Sequence, residues 1–329
     1  MKKITLNDIA KKANVSIATV SRVLNGTKNK VISAADSLGY HRDKIITNIK
    51  ISSNIILMII PDFINPFTSS VIEGVIDSSQ LNGYKVVFAN TKNFNNTLED
   101  YMNFCSSLSL AGIISLDSNS IQDNNIIEGL SRNFPMVMCS EYPEDNNLSF
   151  VSIDDKKAAE TATEYLLNLG RDKIAFINNS TKNKYARHRE KGFYRTMKKH
   201  NIPVNKSWVI NLSKIDYSLA YTNIKSILSK NNIPNAIFAV SDIYAIASVK
   251  AAKNLGLRVP EDISVIGFDN EYVSIMSDPT LTTISQPSYD IGFQSAELLF
   301  DLINGKVNNQ KSIIFDTDLI VRDSTSLLD

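Results

Sequence analysis

Long apolar runs are missing from this sequence of 329 residues. The longest, Ile55 to Ile60, has the length of a strand and falls far short of a bilayer span, so no membrane partner is expected. Near the N-terminus Asp8, Lys11 and Lys12 interrupt any apolar stretch that an export signal would need, which predicts a cytoplasmic protein. Cysteine is scarce too. Cys105 and Cys139 lie in apolar surroundings without metal-ligand spacing, so they read as buried thiols, and neither a metal site nor a redox role is expected. None of the three histidines, His41, His188 and His200, falls just past a strand-like run, and surface positions are expected for all three. There is no Gly-x-Gly-x-x-Gly after a strand, no phosphate-binding Walker loop and no Gly-x-Ser-x-Gly elbow. The expectation is a non-enzyme with no catalytic residues and no cofactor.

What is present is the composition of a soluble globular chain, with 21% charged and 43% hydrophobic residues, long enough for two or three folding units. The net charge of +1 hides an uneven distribution. Residues 1–50 carry ten Lys/Arg against three acids, and the remainder 25 against 31. One end is therefore suited to a polyanion and the rest is not.

Within the basic end, Thr5 can cap a helix in which Leu6, Ile9, Ala10 and Ala13 recur at helical spacing. Ser16 can cap a second, from Ile17 to Leu24, that turns Val20, Val23 and Leu24 inward and is ended by Asn25-Gly26. Its other side carries Ser16, Ile17, Ala18, Ser21 and Arg22. Two short helices with a tight turn and a small, polar, basic outer face form a helix-turn-helix, whose second helix can enter the major groove of double-stranded DNA. Hydroxyls can take phosphates or base edges, Arg22 can pair with guanine or phosphate, and Ala18 permits close approach.

From Asn54 onward strand-like runs alternate with helical segments, the pattern of a parallel α/β sheet. Strands are predicted at Ile55–Ile60, Lys85–Ala89, Gly112–Leu116, Met136–Cys139, Ser149–Ile153, Lys173–Ile177, Val209–Leu212, Ala236–Val240 and Ile263–Gly267. That many βα units exceed one comfortable sheet, and a break near Ser149-Phe150 predicts two Rossmann-like lobes with a cleft between them. Ligands of such sheets sit beyond the carboxyl ends of the strands. The residues there are polar: Asp62, Asn65, Asp117, Ser140, Glu141, Asn178, Asn179, Ser241, Asp242, Asp269 and Asn270, interleaved with Phe63, Phe67, Tyr142 and Phe268. Each taken singly is as readily a turn former or a cap. Their recurrence on successive strands suggests a site in which amides and carboxylates hold hydroxyls while a ring packs on an apolar face.

The run Ile4-Thr5-Leu6-Asn7-Asp8-Ile9-Ala10-Lys11-Lys12-Ala13-Asn14-Val15-Ser16-Ile17-Ala18-Thr19-Val20-Ser21-Arg22-Val23-Leu24-Asn25-Gly26 resembles the DNA-binding head of the lactose-repressor (LacI/GalR) family. The resemblance implies that Ile17, Ala18 and Arg22 read the operator, with Ser16, Thr19 and Ser21 serving backbone contact and capping. Two departures are visible. The Val-Ser-x-x-Thr-Arg-x-Lys-Val stretch that opens the family's third helix is replaced by Thr27-Lys28-Asn29 running straight into Lys30-Val31, which removes roughly seven residues, about two turns. The linker from Arg42 to Ile49 lacks the family's Pro and its Ala-Arg pair, and Ile49 stands where the minor-groove wedge is expected.

The resemblance continues through Pro61-Asp62-Phe63-Ile64-Asn65-Pro66-Phe67, Arg189-Glu190-Lys191-Gly192-Phe193, Ser241-Asp242, the run from Val259 to Asn270, and Leu281-Thr282-Thr283-Ile284-Ser285-Gln286-Pro287. It implies a pocket lined by Asn65, Phe67, Arg189, Ser241, Asp269 and Gln286, with Arg189 the principal donor. Pro135 to Tyr142 and Leu319 to Thr325 are similar to the cytidine-repressor branch, and Glu141 stands where the ribose-type sensors carry an Asp-Arg pair, so the expected effector is a sugar or a nucleoside. The expected fold class is α/β: a helix-turn-helix head over residues 1–40, a hinge linker over 41–53, and a bilobal periplasmic-binding-protein-like sensor and dimerisation domain over 54–329, made of two Rossmann-like parallel-sheet lobes. A homodimer on a palindromic operator follows from the small size of the head and the symmetry of such sites. A transport-type binding protein shares the bilobal fold, and the basic head argues against it.

Overall fold

In the computed structural model the structure describes residues 10–11, 54–61, 63, 65–91, 97–117, 124–144, 147–307 and 309–328. Packing divides the chain into two units, Met1–Ser53 and Asn54–Asp329. The expected boundary at residue 40 lies outside the described residues.

The larger unit begins β1 (Ile55–Ile60), α1 (Pro66–Leu81), β2 (Lys85–Asn90), α2 (Leu98–Leu108), β3 (Gly112–Ser115), α3 (Asn124–Asn133), β4 (Met136–Cys139), β5 (Ser149–Ile153). It continues α4 (Asp155–Asn168), β6 (Ile174–Asn179), α5 (Lys184–Lys199), β7 (Val209–Leu212), α6 (Tyr217–Leu228), β8 (Ala236–Ala239), α7 (Asp242–Asn254), β9 (Ser264–Asp269), α8 (Tyr272–Met276), β10 (Thr282–Ser285). The chain closes with α9 (Ser288–Ile303), β11 (Ser312–Phe315) and β12 (Asp318–Ile320). Two six-stranded sheets result, ordered β11-β5-β4-β3-β1-β2 and β12-β10-β9-β8-β6-β7. Every pairing is parallel except β10 with β12.

Local chemistry explains the elements. Ile56 to Ile60 are all fully buried, as a parallel strand covered on both faces requires. Asn65 caps α1 by accepting from the Phe67 amide, and Pro66 fills the first helical position, where a missing N–H costs nothing. Gly83 (φ 74°) ends α1 and Gly170 (φ 77°) follows α4, both in the left-handed region. Gly74 of α1 and Gly292 of α9 bring these two helices together so closely that an added Cβ would meet backbone oxygen at 2.1 Å and 2.0 Å.

The nine predicted strands are present, four with the predicted bounds and five with ends shifted by one or two residues. Three more, β10 to β12, were not predicted. They are only three or four residues long, and β10 opens on Thr282-Thr283, so neither length nor an apolar run marks them. The break between lobes also moves. Ser149-Phe150 does not separate the lobes, because β5 pairs with β4 and β11 inside the first sheet. The chain crosses to the second sheet just afterwards, at Asp154, returns between β10 and α9, and crosses again between β11 and β12. Three strands of chain thus join the lobes.

Candidate functional site

The carboxyl ends of both sheets carry the polar residues expected there, and the second lobe gathers them most densely. In α5 of that lobe, Arg189 is buried and donates from Nη1 to the Val240 carbonyl at 2.7 Å. Its Nε and Nη2 both reach Asp155 Oδ1 at 2.9 Å, and its guanidinium lies 3.4 Å over the ring of Phe268. Asp269 stands 3.8 Å from Nη1 and accepts from Gln286 Nε2 at 2.5 Å. Arg189, Asp269 and Gln286 are therefore brought together, and Asn178 near the end of β6, one strand beyond β8, donates from Nδ2 to the Ala186 carbonyl of α5 at 3.2 Å. Asn178 Oδ1 and Gln286 Oε1 are buried and accept no hydrogen bond from the protein. A buried acceptor without a donor is costly, so each of these two atoms can still take a donor that the protein does not supply.

Around them sit three acids. Asp242 Oδ1 accepts from Thr283 Oγ1 at 2.7 Å, and Oδ2 from the Glu271 amide at 2.8 Å. Burial pushes Asp242 and Glu271 up to about 7. Burial likewise raises Asp269 well above the usual carboxylate range, against the pull of Arg189. Asp269 (φ 113°) and Asn270 (φ 58°) hold left-handed backbone without being glycine, a strain that the surrounding hydrogen bonds sustain.

In the first lobe Asn65 and Phe67 sit at the start of α1, with Phe67 buried and Phe63 exposed. Asp117 accepts from Thr91 Oγ1 at 3.0 Å. Ser140 turns the chain past β4 with φ 63°, and Glu141 follows it toward the second lobe. Glu141 Oε2 accepts from the Lys184 amide and Oε1 from the Tyr185 amide, both at 2.9 Å. Lys184 reaches back: its Nζ lies 3.1 Å from the Ser140 carbonyl, 3.1 Å from Ser152 Oγ and 3.0 Å from Asp155. Burial works to raise Asp155, but Lys184 and Arg189 prevail and hold it below its ordinary value.

Several expected residues have structural partners of their own. Ser241 caps α7 through the Ile243 amide, and Asp242 is held by Thr283 and the Glu271 amide. His188 and His200 pair with Glu144 and Glu164 near the surface. Asp62, His41 and the DNA-binding set Thr5, Ser16, Ile17, Ala18, Thr19, Ser21, Arg22, Asn25 and Ile49 lie outside the described residues. Sequence reading missed Asp155, Lys184, Tyr185 and Glu271. They belong to the first turns of α4, α5 and α8 or their caps, a few residues beyond the strand ends, and inspecting each following helix N-terminus would have found them. An open groove of about 360 Å³, lined by residues such as Phe134, Asn147 and Gln310, lies at the opposite, amino end of β4 and β5, away from this polar cluster.

Fold and site together define a two-lobed α/β binding module. Residues 163–325 match the periplasmic binding protein-like domain, and residues 5–43 match the bacterial regulatory proteins of the lacI family. The chain is 33% identical over 333 residues to the HTH-type transcriptional repressor CytR of Escherichia coli (strain K12), covering 98% of this chain and 97% of that one. It is 29% identical to the repressor PurR of Vibrio vulnificus (strain CMCP6), covering 97% and 98%. Among solved structures, the transcription regulator CcpA of Lactococcus lactis matches with a TM-score of 0.75 and 25% identity over 83% of this chain and 99% of that one. A LacI family regulator from Enterococcus faecium with bound ribose matches at 0.74 and 25%, over 84% and 100%. The chain belongs to the LacI family of bacterial regulatory proteins.

Proposed function

We propose that this chain is a cytoplasmic transcriptional repressor, not an enzyme, whose hold on a palindromic operator is set by a sugar or nucleoside bound between the two lobes. The observation that carries the effector half is the buried polar cluster of Arg189, Asp269 and Gln286 with the unpaired acceptors Asn178 Oδ1 and Gln286 Oε1. Asn65 and Phe67 at the start of α1, with Ser140, Glu141, Ser241 and Asp242 just past strand ends, support this reading, and Asp62 is assigned to the same site from the sequence alone. Named relatives support the ligand class: one neighbour holds ribose, and another is a CelR–cellobiose complex. Effector binding biases two arrangements of the lobes, and the 41–53 linker passes the bias to heads whose Ile17, Ala18 and Arg22 read the bases. A homodimer is supported by exposed apolar side chains at Leu81, Tyr272, Ile275 and Met276, which a second copy would cover.

The test is a competition titration at fixed salt of the full chain against a palindromic duplex selected from a random library and its scrambled counterpart, alongside a thermal-shift screen of sugars and nucleosides. Preference for the selected duplex, altered by a compound that raises the melting temperature, is the expected result. A second reading, a sensor that binds effector but discriminates DNA poorly, is favoured by the roughly seven residues missing after Asn29. Equal binding to both duplexes, with discrimination gained when a Val-Ser-x-x-Thr-Arg segment is inserted between Asn29 and Lys30, selects that second reading.

A further inference from the structure

Helix α5 has an N-terminus that its own cap residue leaves unserved: Asn183 makes no side-chain capping bond. The acceptor comes from the other lobe. Glu141, just past β4 of the first sheet, places one carboxylate oxygen on each of the Lys184 and Tyr185 amides, the first two of the helix. Lys184 answers in the opposite direction, crossing to the Ser140 carbonyl and to Ser152 Oγ of β5 while paired with Asp155 at the crossover. Its ammonium also lies 4.4 Å over the ring of Tyr142, which stacks on Phe150 of β5. Both Glu141 and Lys184 are buried, and the left-handed turn at Ser140 aims the carboxylate. A helix N-terminus flanked by an ammonium is a favourable place for an anion, because free N–H groups and the macrodipole point the same way. Here a side chain of the chain itself takes that place.

We propose that Glu141 is a latch between the lobes: it closes the cleft with groups the chain supplies, and it denies the α5 N-terminus to phosphate or carboxylate groups of an incoming effector. The closing half stands without any assumption about the effector, and the exclusion half rests on the reading of the cleft as the effector site. Breaking a cap of this kind lowers the closed-to-open ratio by about tenfold.

The test uses the full chain with spin labels at Gln80→Cys in α1 and Lys191→Cys in α5, both exposed, while the native Cys105 and Cys139 are buried. Without added small molecules, the unaltered chain is expected to show mainly the short interlobe distance, and E141A mainly a longer one. E141Q, which keeps an acceptor oxygen and loses the charge, falls between them and carries the test if E141A fails to fold. The same distance distribution in all three chains overturns the latch. The second arm is inorganic phosphate, read by melting temperature. Phosphate is expected to raise that of E141A or E141Q and leave the unaltered chain unchanged, and an equal rise in both overturns the exclusion without touching the effector reading, which the thermal-shift screen tests separately.

Discussion

Arg189 binds Asp155 through two nitrogens on a single carboxylate oxygen, each at 2.9 Å, and Asp155 is the first residue of α4 after the chain crosses between lobes. The side chain expected to hold the effector is thus also the anchor of a crossover. Sequence resemblance implied only that Arg189 is the principal donor to the effector, and the burial of the pair adds a structural role. Arg189→Ala leaves Asp155 with Lys184 alone and removes the donor to Val240. Breaking one member of a buried ion pair costs about 3–5 kcal/mol. The melting temperature should fall as well as effector affinity, by calorimetry and thermal unfolding, and a lost affinity with unchanged stability would refute the anchoring role.

Arg171 performs a comparable task far from the cleft. It is fully buried and donates to the carbonyls of Pro260, Glu261, Ser326 and Leu327, so it pins the C-terminal segment to the loop before β9. Replacing it with Ala leaves several buried carbonyls unpaired, at about 1–3 kcal/mol for each one that water cannot reach. Arg171→Ala should lower the urea midpoint strongly while the folded fraction keeps its effector affinity. Equal stability of variant and parent would show that the tail is not held by this residue.

Gly74 and Gly292 provide a test of the packing between α1 and α9. Alanine in a helix interior normally gains about 1 kcal/mol over glycine. At these positions the new methyl would lie 2.1 Å from the Tyr289 carbonyl oxygen or 2.0 Å from that of Val71, and backbone cannot rotate away. Overpacking of about 1–3 kcal/mol or more outweighs the propensity gain. Each single Gly→Ala variant should unfold at lower urea than the parent, and a stabilised variant would mean that the helices can separate without loss.

The legible part of the molecule follows a physical rule. Runs such as Ile55–Ile60 and Met136–Cys139 advertise strands because strands buried on both faces must be apolar throughout. β11, with Ser312 and Ile314 exposed, follows only a short edge pattern, and β12 gains its place from pairing with a strand more than thirty residues earlier. The site shows the same division. Asp269 could be placed because it ends a predicted strand and Gln286 only through the family resemblance, whereas Lys184 matters through Ser140, Ser152 and Asp155, which a linear reading keeps apart.

The acids of the cleft predict an unusual dependence of stability on pH. Asp242 and Glu271 are pushed by burial from ordinary values of 3.8 and 4.5 up to about 7. In the unfolded chain both have lost their protons by about pH 5, while the folded chain keeps them until about 7. The folded state therefore binds more protons across this window, so the free energy of unfolding falls as pH rises, at about 1.4 kcal/mol per pH unit for each extra proton held. Glu144 and Asp262, lowered to about 2 chiefly by hydrogen bonds from arginine, act the other way, but their contribution is complete above about pH 5 and constant from there. Urea titrations at pH 5, 6, 7 and 8 should show stability decreasing along the series. Glu271→Gln mimics the protonated carboxyl and cannot ionise, so it should match the parent near pH 5 and exceed it at pH 8. A parent that grows more stable from pH 5 to 8, or a variant with the same slope, would mean that water reaches these carboxylates.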